Sequence, residues 1–177
     1  MNYSILNREI IYQGRAFEVQ KVYLLLPNQK KRYYDLVAHH DSVTIVPLDK
    51  DGNIWFVSQY RLGVEDQLLE LPAGVLENGE DPKEGAMREI QEEIGMACPE
   101  LKFLGDFYLA PGYSSEHMYI YLATDLYPSA LAPDSDEFLK VVKIAIPEVL
   151  RMAENGEIKD SKTLASILLA RRSFSAE

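Results

Sequence analysis

The segment from Asp81 to Gly95 constrains the fold more than any other, because it specifies one helix between strand-like segments. Asp81 is a favourable N-cap, Pro82 suits the first helical position, and Glu84 can complete a capping box. Gly95 predicts the end of this helix. Strand signals lie on both sides of this helix, and two more helices are predicted near the C-terminus.

The predicted strands are rich in β-branched and aromatic residues and alternate with turn-like segments. Two of them flank PNQKK and predict an N-terminal hairpin. The Asp51-Gly52 pair can supply the positive φ angles of a tight turn, which predicts a second hairpin. The predicted strands span residues 17–26, 32–39, 42–48, 54–61, 101–110, 117–127 and 138–146.

Two packing helices are predicted after the last strand. The first runs from Pro147 to Asn155, and the second follows Asp160. A mostly apolar stripe is expected on the second, formed by Leu164, Ile167, Leu168 and Arg171. A separate acidic cluster, comprising Asp134, Asp136 and Glu137, is interpreted as a solvated loop.

Length and charge exclude several classes of protein. The 177 residues suffice for one domain with a small appended element, and the net charge of −10 argues against broad contact with nucleic acid. No apolar run approaches the roughly 18 residues that a membrane-spanning helix needs. The N-terminus lacks the apolar core of a secretory signal, so a cytoplasmic location is expected. The single cysteine, Cys98, is given no catalytic role.

The predicted central helix collects carboxylates. Glu89 is followed four residues later by Glu93 instead of a lysine, and such a like-charge pair costs about 0.2 to 0.5 kcal/mol. Glu92 lies in the same sector of the helix surface, beside a face that carries Ile90. A solvated acidic stripe is one interpretation. A divalent cation is the other, since carboxylates suit Mg²⁺ or Mn²⁺ and Mg²⁺ shares its remaining positions with substrate phosphates.

These residues form a recognisable motif. Gly74, Glu80 and the run from Arg88 to Met96 fill every defining position of the Nudix box, so the chain resembles the Nudix family. The segments VSQYR, ELPAG, PGYSSE and GEIKDSKTLASILLA are similar in order and spacing to bacterial ADP-ribose pyrophosphatases of that family. Pro111, fifteen residues after Met96, matches the proline associated with this subgroup.

The resemblance implies an architecture. The expected fold is of the α+β class, the α/β/α Nudix sandwich with mixed sheets, with an N-terminal antiparallel β-element used in dimerisation. Residues 1–40 would form this arm, which serves dimerisation and base recognition, and residues 41–177 would form the Nudix hydrolase domain. A homodimer is therefore expected.

The resemblance also assigns metal ligands. Glu89, Glu93 and the main-chain carbonyl of Ala73 match the family's ligands, and Glu92 shares their cluster. Arg88 is expected to orient these carboxylates and to pair with Glu80, so that both act as supporting residues.

A general base is expected on the loop after the proline motif. Glu116 in PGYSSE matches the glutamate that takes this role in the resembling enzymes. His117 is the rival, because imidazole titrates near neutral pH. A solvated loop carboxylate remains the alternative interpretation of Glu116.

The substrate-binding candidates are Arg61 for phosphate and the rings of Phe17 and Tyr34 for adenine. Exposed arginine and ordinary strand packing are the respective alternatives. His39 is a further candidate, in a loop that departs from the family: relatives commonly have His-Pro-Gly where this chain has His39-His40-Asp41-Ser42. The contacts of that loop therefore stay open.

The predicted function is Mg²⁺-dependent hydrolysis of ADP-ribose to AMP and ribose 5-phosphate, as the resemblance implies. One alternative is a pyrophosphatase for another nucleotide sugar, such as GDP-mannose, because the box recognises the diphosphate and not the base. The other is a non-catalytic, nucleotide-binding Nudix-like module. The small-molecule partner is in each case a nucleoside diphosphate, with no nucleic acid or membrane.

Overall fold

The computed structural model describes residues 2–132 and 138–174 and divides them into two compact units. One unit contains the residues up to Asp41 together with Tyr108–His117, and the other contains the remaining described residues. The acidic cluster of Asp134, Asp136 and Glu137 lies outside the described residues.

The first unit is built on a three-stranded antiparallel sheet of β1 (Ser4–Gln13), β2 (Phe17–Leu25) and β3 (Lys31–His39), in that order. The hairpin of β2 and β3 agrees with the prediction. Strand β1 was not predicted, because all ten of its residues are exposed and they therefore show no apolar alternation.

The loop 108–117 is attached to β3 within the same unit. The Val37 amide donates to the Tyr113 carbonyl at 2.8 Å, and the Ser115 amide donates to the Val37 carbonyl at 3.0 Å. The His39 amide donates to Ser115 Oγ at 2.9 Å. These bonds give the loop that carries Glu116 a defined backbone path beside one edge of the sheet.

The second unit contains a mixed sheet and an antiparallel sheet. The strand bounds are β4 Ser42–Pro47, β5 Asn53–Arg61, β6 Asp66–Glu70, β7 Ala73–Val75, β8 Met96–Ala97, β9 Leu101–Tyr108, β10 His117–Ala123, β11 Tyr127–Pro128 and β12 Lys140–Ala145. The mixed sheet has the order β7-β4-β10-β9, with β4 and β10 parallel, and the antiparallel sheet has the order β12-β5-β6. Strands β8 and β11 form a short ladder.

The predicted hairpin at Asp51-Gly52 is only half correct. The turn is present, with φ of 77° at Gly52 and its amide donating to the Asp49 carbonyl at 3.1 Å. However, β4 and β5 belong to different sheets and share a single bridge, between Leu48 and Ile54. The turn therefore transfers the chain from one sheet to the other, a distinction that depends on packing and not on the turn residues.

Three helices complete the second unit: α1 (Pro82–Glu93), α2 (Ile146–Glu154) and α3 (Ser161–Ala170). The predicted apolar face of α1 is confirmed, because Ala86 and Ile90 are fully buried and Ile94 is 7% exposed. Helix α2 ends at Asn155 and Gly156, as predicted.

The predicted stripe of α3 is partly wrong, since Leu168 is 68% exposed while Ile167 is buried. Its buried face includes the small residues Ser166 and Ala170, which suit close packing against β4. No helix in the described ranges is long and apolar enough to cross a membrane.

Candidate active site

Helix α1 presents its carboxylates from a well-capped frame. Asp81 accepts hydrogen bonds from the amides of Lys83 at 2.9 Å and Glu84 at 3.3 Å, which satisfies N–H groups that the first helical turn leaves without partners. Burial of the Ile90 face then fixes the rotation of the helix. Glu89 and Glu93 are held at 8% and 7% exposure as a result.

Arg88 lies at the centre of the carboxylates. Its Nε and Nη2 donate to Glu80 at 2.9 and 3.1 Å, and its Nη1 donates to Glu89 at 2.6 Å and to Glu92 at 2.9 Å. The hydrogen bonds to Glu80 raise the pKa of Arg88 and hold the pKa of Glu80 below its usual range. The predicted pairing of Arg88 with Glu80 is confirmed, and one cation is shared among three carboxylates.

Strand β7 supplies the opposite wall of this cluster. The Ala73 amide donates to Glu93 Oε2 at 3.0 Å. A Cβ atom added at Gly74 would stand 2.0 Å from the Glu89 carboxyl carbon, far closer than van der Waals contact between two carbon atoms allows. Gly74 therefore serves the close approach of the Glu89 carboxylate, which is a more specific role than the backbone turn that its sequence context suggests.

The donor set fits a divalent cation. Glu89, Glu92 and Glu93 offer hard oxygen atoms, and their charge exceeds that of Arg88 alone. Among residues 2–132 and 138–174, no three His, Cys, Asp or Glu side chains converge as a ready-made metal site.

A second ion cluster in the same unit was not predicted. Arg61, at the end of β5, donates through Nε and Nη2 to the two oxygens of Glu70, each at 2.7 Å. Glu70 is 1% exposed, and Lys162 Nζ donates to its Oε2 as well. Burial alone would favour the neutral acid, but the bonds from Arg61 and the charge of Lys162 hold the pKa of Glu70 below its usual value.

The first turn of α3 closes this second cluster. Asp160 caps the helix by accepting from the Thr163 amide at 2.9 Å, and it also accepts from Lys162 Nζ at 3.0 Å. Thr163 Oγ1 accepts from the Leu71 amide at 2.9 Å, next to Glu70 in the chain. The sequence carried no signal for this cluster, because Lys162 lies outside the predicted apolar stripe of α3 and its burial appears only in the structure.

In the first unit, two of the predicted substrate-binding residues share a cavity. Phe17 and His39 are directly paired across β2 and β3, and both line a cavity of about 340 Å³ together with Gly14, Arg15 and His40. His39 Nδ1 lies 2.7 Å from the His40 carbonyl oxygen. Tyr34 does not line this cavity; it pairs with Val22 and is 49% exposed.

The two base candidates differ in their surroundings. The Glu116 amide donates to Ser114 Oγ at 3.2 Å, within the loop attached to β3. His117 Nδ1 lies 3.7 Å from Asp41 Oδ2, and its ring packs against Tyr108 with a centroid distance of 4.7 Å. These contacts occupy the His117 ring on one edge and one face.

Comparisons with known proteins give the family. The NUDIX domain family model matches residues 38–172. The chain is 34% identical to the methanol dehydrogenase activator of Bacillus methanolicus, over 90% of this chain and 87% of that protein. It is 33% identical to the ADP-ribose pyrophosphatase of Bacillus subtilis, over 90% of this chain and 88% of that protein.

A solved structure agrees with these relatives. The crystal structure of an ADP compounds hydrolase superposes with a TM-score of 0.87 at 30% sequence identity and covers 98% of this chain and 94% of that one. The chain therefore belongs to the Nudix hydrolase family, with the mixed-sheet α+β fold expected from its sequence.

Proposed function

We propose that this protein hydrolyses the pyrophosphate bond of ADP-ribose in a Mg²⁺-dependent reaction, with AMP and ribose 5-phosphate as products. One water molecule is consumed, one phosphorus–oxygen bond of the P–O–P bridge breaks, and one phosphorus–oxygen bond to the water oxygen forms. The relatives named ADP-ribose pyrophosphatase and ADP compounds hydrolase support this substrate class.

The observation that carries the proposal is the placement of the Glu89 carboxylate against Gly74. A carboxylate pressed onto bare backbone beside Glu93, with Arg88 as the shared cation, keeps an excess of negative charge at low exposure. Such an arrangement is costly in the absence of a further cation. Proteins maintain arrangements of this kind mainly where they serve function.

The proposed metal ligands are Glu89, Glu92, Glu93 and the main-chain carbonyl of Ala73. Bound Mg²⁺ supplies charge neutralisation for the phosphate oxygens and lowers the pKa of coordinated water. Mn²⁺ offers the same preference for oxygen ligands and is expected to substitute. Arg88 restrains Glu89 and Glu92 from one side, so it orients the ligands without being one itself.

Glu116 is the proposed general base, which takes a proton from the attacking water. A carboxylate suits this role because its oxygens can accept the proton that the attacking water loses in the transition state. His117 is less suited, since its ring already contacts Tyr108 and Asp41. Glu116→Gln should lower kcat by about 10² to 10⁴ fold, whereas His117→Ala should leave most of the rate; the reverse result would transfer the role to His117.

Substrate binding is proposed to use Arg61 for a phosphate group and Phe17, Tyr34 and His39 for the nucleoside. Arg61 Nη1 donates to no protein acceptor within the part of the chain that the structure describes, and the side chain is 41% exposed. Its two N–H groups are thus available to phosphate oxygens. Phe17 and His39 already share one cavity.

A homodimer is proposed from the exposed surface of the N-terminal sheet. Strand β1 is an edge strand, and its Ile5, Ile10, Ile11 and Tyr12 are each more than half exposed. Such an edge normally pairs or is covered. In the register of β2 and β3, Phe17 and Tyr34 lie on opposite faces of the sheet, so one protomer cannot sandwich a single adenine between them.

Light scattering tests the dimer, and Tyr34→Ala tests the contribution of that ring. We expect a dimer, and a rise of the Michaelis constant of roughly 5 to 150 fold in the variant, since stacking on one ring contributes about 1 to 3 kcal/mol. A fully active monomer, or an unaltered Michaelis constant, would assign these rings to strand packing. The predicted cytoplasmic location and the absence of nucleic-acid partners stay predictions from the sequence.

A panel of ADP-ribose, GDP-mannose and other nucleoside diphosphate compounds tests the function. With Mg²⁺ we expect the highest kcat/KM for ADP-ribose, and with a chelator we expect no turnover. GDP-mannose is the informative competitor, because a GDP-mannose pyrophosphatase of Yersinia pestis is 29% identical over 71% of this chain. Binding of ADP-ribose without hydrolysis under every metal condition would instead identify a non-catalytic nucleotide-binding module.

A further inference from the structure

We infer that Lys162 is a positioning residue, which acts through Glu70 to orient the Arg61 guanidinium for substrate. This inference rests on the proposed function, because it assigns Arg61 to a substrate phosphate. The basis is a continuous chain of hydrogen bonds that links the first turn of α3 to Arg61 through one buried carboxylate.

The fork between Arg61 and Glu70 determines which edge of the guanidinium is available. Nε and Nη2 are both committed to the carboxylate at 2.7 Å, so Nη1 is directed away from it. Since the guanidinium is planar, fixing these two atoms fixes the direction of the Nη1 donors too. The orientation of Arg61 therefore depends on the orientation of Glu70.

Glu70 is itself held from two directions. Lys162 Nζ donates to its Oε2, and Asp160 Oδ2 holds the same ammonium at 3.0 Å. The backbone following Glu70 is fixed by the Leu71 amide, which donates to Thr163 Oγ1 at 2.9 Å. Without Lys162, the carboxylate would keep its attraction to Arg61 but lose the anchor that defines its plane.

The location of Arg61 connects this chain to the carboxylates of α1. Hydrogen bonding to Glu70 raises the pKa of Arg61, and the negative charges of Glu93 and Asp160 add to the same shift. Arg61 thus lies within the electrostatic reach of a proposed metal ligand, where misalignment by a fraction of an ångström affects binding of the charged substrate. A purely structural ion pair would not require one partner to be 41% exposed in this position.

The test compares Lys162→Met with Lys159→Met in the full chain. Methionine keeps most of the aliphatic length of lysine and removes its charge. Lys159 is an exposed lysine three residues earlier, so Lys159→Met changes the net charge by the same amount. For Lys162→Met we expect kcat/KM for ADP-ribose to fall about 10-fold, the size of one lost charged hydrogen bond. Lys159→Met should retain the wild-type value, and Lys162→Arg should recover part of the loss.

A double mutant separates positioning from a structural role. If Lys162 acts through Arg61, Lys162→Met should change kcat/KM by less than about twofold in an Arg61→Ala background. In Lys162→Met alone, the loss of kcat/KM should be split between KM and kcat in the same proportion as in Arg61→Ala, but the loss should be smaller. A full, additive loss in the double mutant would overturn the inference, as would a lower melting temperature with unchanged kinetics.

A measurement without substrate tests whether Lys162 positions Arg61 separately from the proposed function. In ¹⁵N-labelled protein, the Nε–H signal of Arg61, assigned by its loss in Arg61→Ala, reports the bond to Glu70. We expect its hydrogen-exchange rate to rise about 10-fold in Lys162→Met, and to stay unchanged in Lys159→Met. An unchanged rate in Lys162→Met overturns the inference.

A wild-type enzyme that cleaves no ADP-ribose overturns the proposed function instead, and the exchange rate still decides the role of Lys162. If Lys162→Met fails to fold, Asp160→Asn replaces it, because asparagine still caps α3 but no longer pairs its charge with Lys162. The same rise in the hydrogen-exchange rate of Arg61 Nε–H is then expected, and an unchanged rate overturns the inference.

Discussion

The second unit contains two ion clusters with opposite arrangements. In the cluster on α1, one cation, Arg88, is shared by three carboxylates. In the cluster between β6 and α3, one carboxylate, Glu70, is shared by two cations. The carboxylate of Asp160 then makes the net charge of this second cluster zero. The first cluster retains surplus negative charge, whereas the second is neutral.

This difference distinguishes a candidate metal site from a cluster that positions a side chain. A balanced, buried cluster gains little from a further cation. A surplus of carboxylates is stable only with a further cation or with partial protonation. The comparison therefore associates metal binding with α1 and rigid positioning with Glu70, although both clusters use the same residue types. Four predictions test it, in order of decreasing effect.

The largest effect is expected from Glu93→Gln in the surplus cluster. Loss of one metal-ligand charge removes several kcal/mol of transition-state stabilisation, so kcat/KM should fall by about 10² to 10⁴ fold at limiting Mg²⁺. The free energy of unfolding without metal should stay level or increase, because a like-charge contact with Glu89 is relieved. Wild-type activity at limiting Mg²⁺ would refute the assignment of Glu93.

The second effect concerns stability and uses the same chemical change in both clusters. Glu70→Gln leaves Lys162 and Arg61 without their shared anion, and we expect the free energy of unfolding to fall by about 3 kcal/mol. Glu92→Gln removes a carboxylate from the α1 cluster and should change the free energy of unfolding by less than about 0.5 kcal/mol. Urea denaturation without metal measures both values, and equal losses in the two variants would contradict the comparison.

The third effect comes from Gly74→Ala, which places a methyl group where the Glu89 carboxylate lies. Displacement of that carboxylate should weaken Mg²⁺ binding and activity by about 10-fold and reduce the free energy of unfolding by about 1 to 3 kcal/mol. Gly63→Ala is the matched control, because a Cβ there meets nothing within 4 Å. A Gly74→Ala enzyme that resembles Gly63→Ala would show that the close approach is dispensable.

The smallest effect is a dependence of stability on pH at the rim of the surplus cluster. Hydrogen bonds from Arg88 lower the pKa of Glu80 from its ordinary value of 4.5. The resulting stabilisation is complete above that value and is lost as pH falls through the lower, folded-state pKa. Glu80→Gln should therefore flatten the acid side of the stability profile by less than about 1 kcal/mol. The exposed Glu84→Gln serves as the control and should leave the slope unchanged.

Most of the α1 cluster could be predicted from the sequence. The cap at Asp81, the end at Gly95 and the buried face with Ile90 all follow from interactions between chain neighbours, which a sequence displays directly. The pairing of Arg88 with Glu80 is also local, because the two residues are eight positions apart in the chain. Helical periodicity brings Arg88 beside Glu92, four residues later, whereas Glu80 precedes the helix and reaches Arg88 from the turn before the N-cap.

The N-terminal sheet was only partly predictable. Strands β2 and β3 contain enough half-buried positions to show a pattern, whereas β1 is exposed along its whole length and shows none. The turn at Gly52 was correctly located, but the sequence does not state whether its two strands pair with each other. The pairing depends on which strands lie beside each other in the folded protein, where β5 is hydrogen-bonded to β6 and β12.

The sequence by itself therefore determined the carboxylate helix, its motif and the Nudix hydrolase family. Only the tertiary structure decided that Gly74 makes room for Glu89 and that Glu70, buried between Arg61 and Lys162, forms a second cluster. The physical reason is the range of the interactions. Lys162 lies 92 residues from Glu70 in the chain, and only the packing of α3 beside the end of β6 brings their charges into contact.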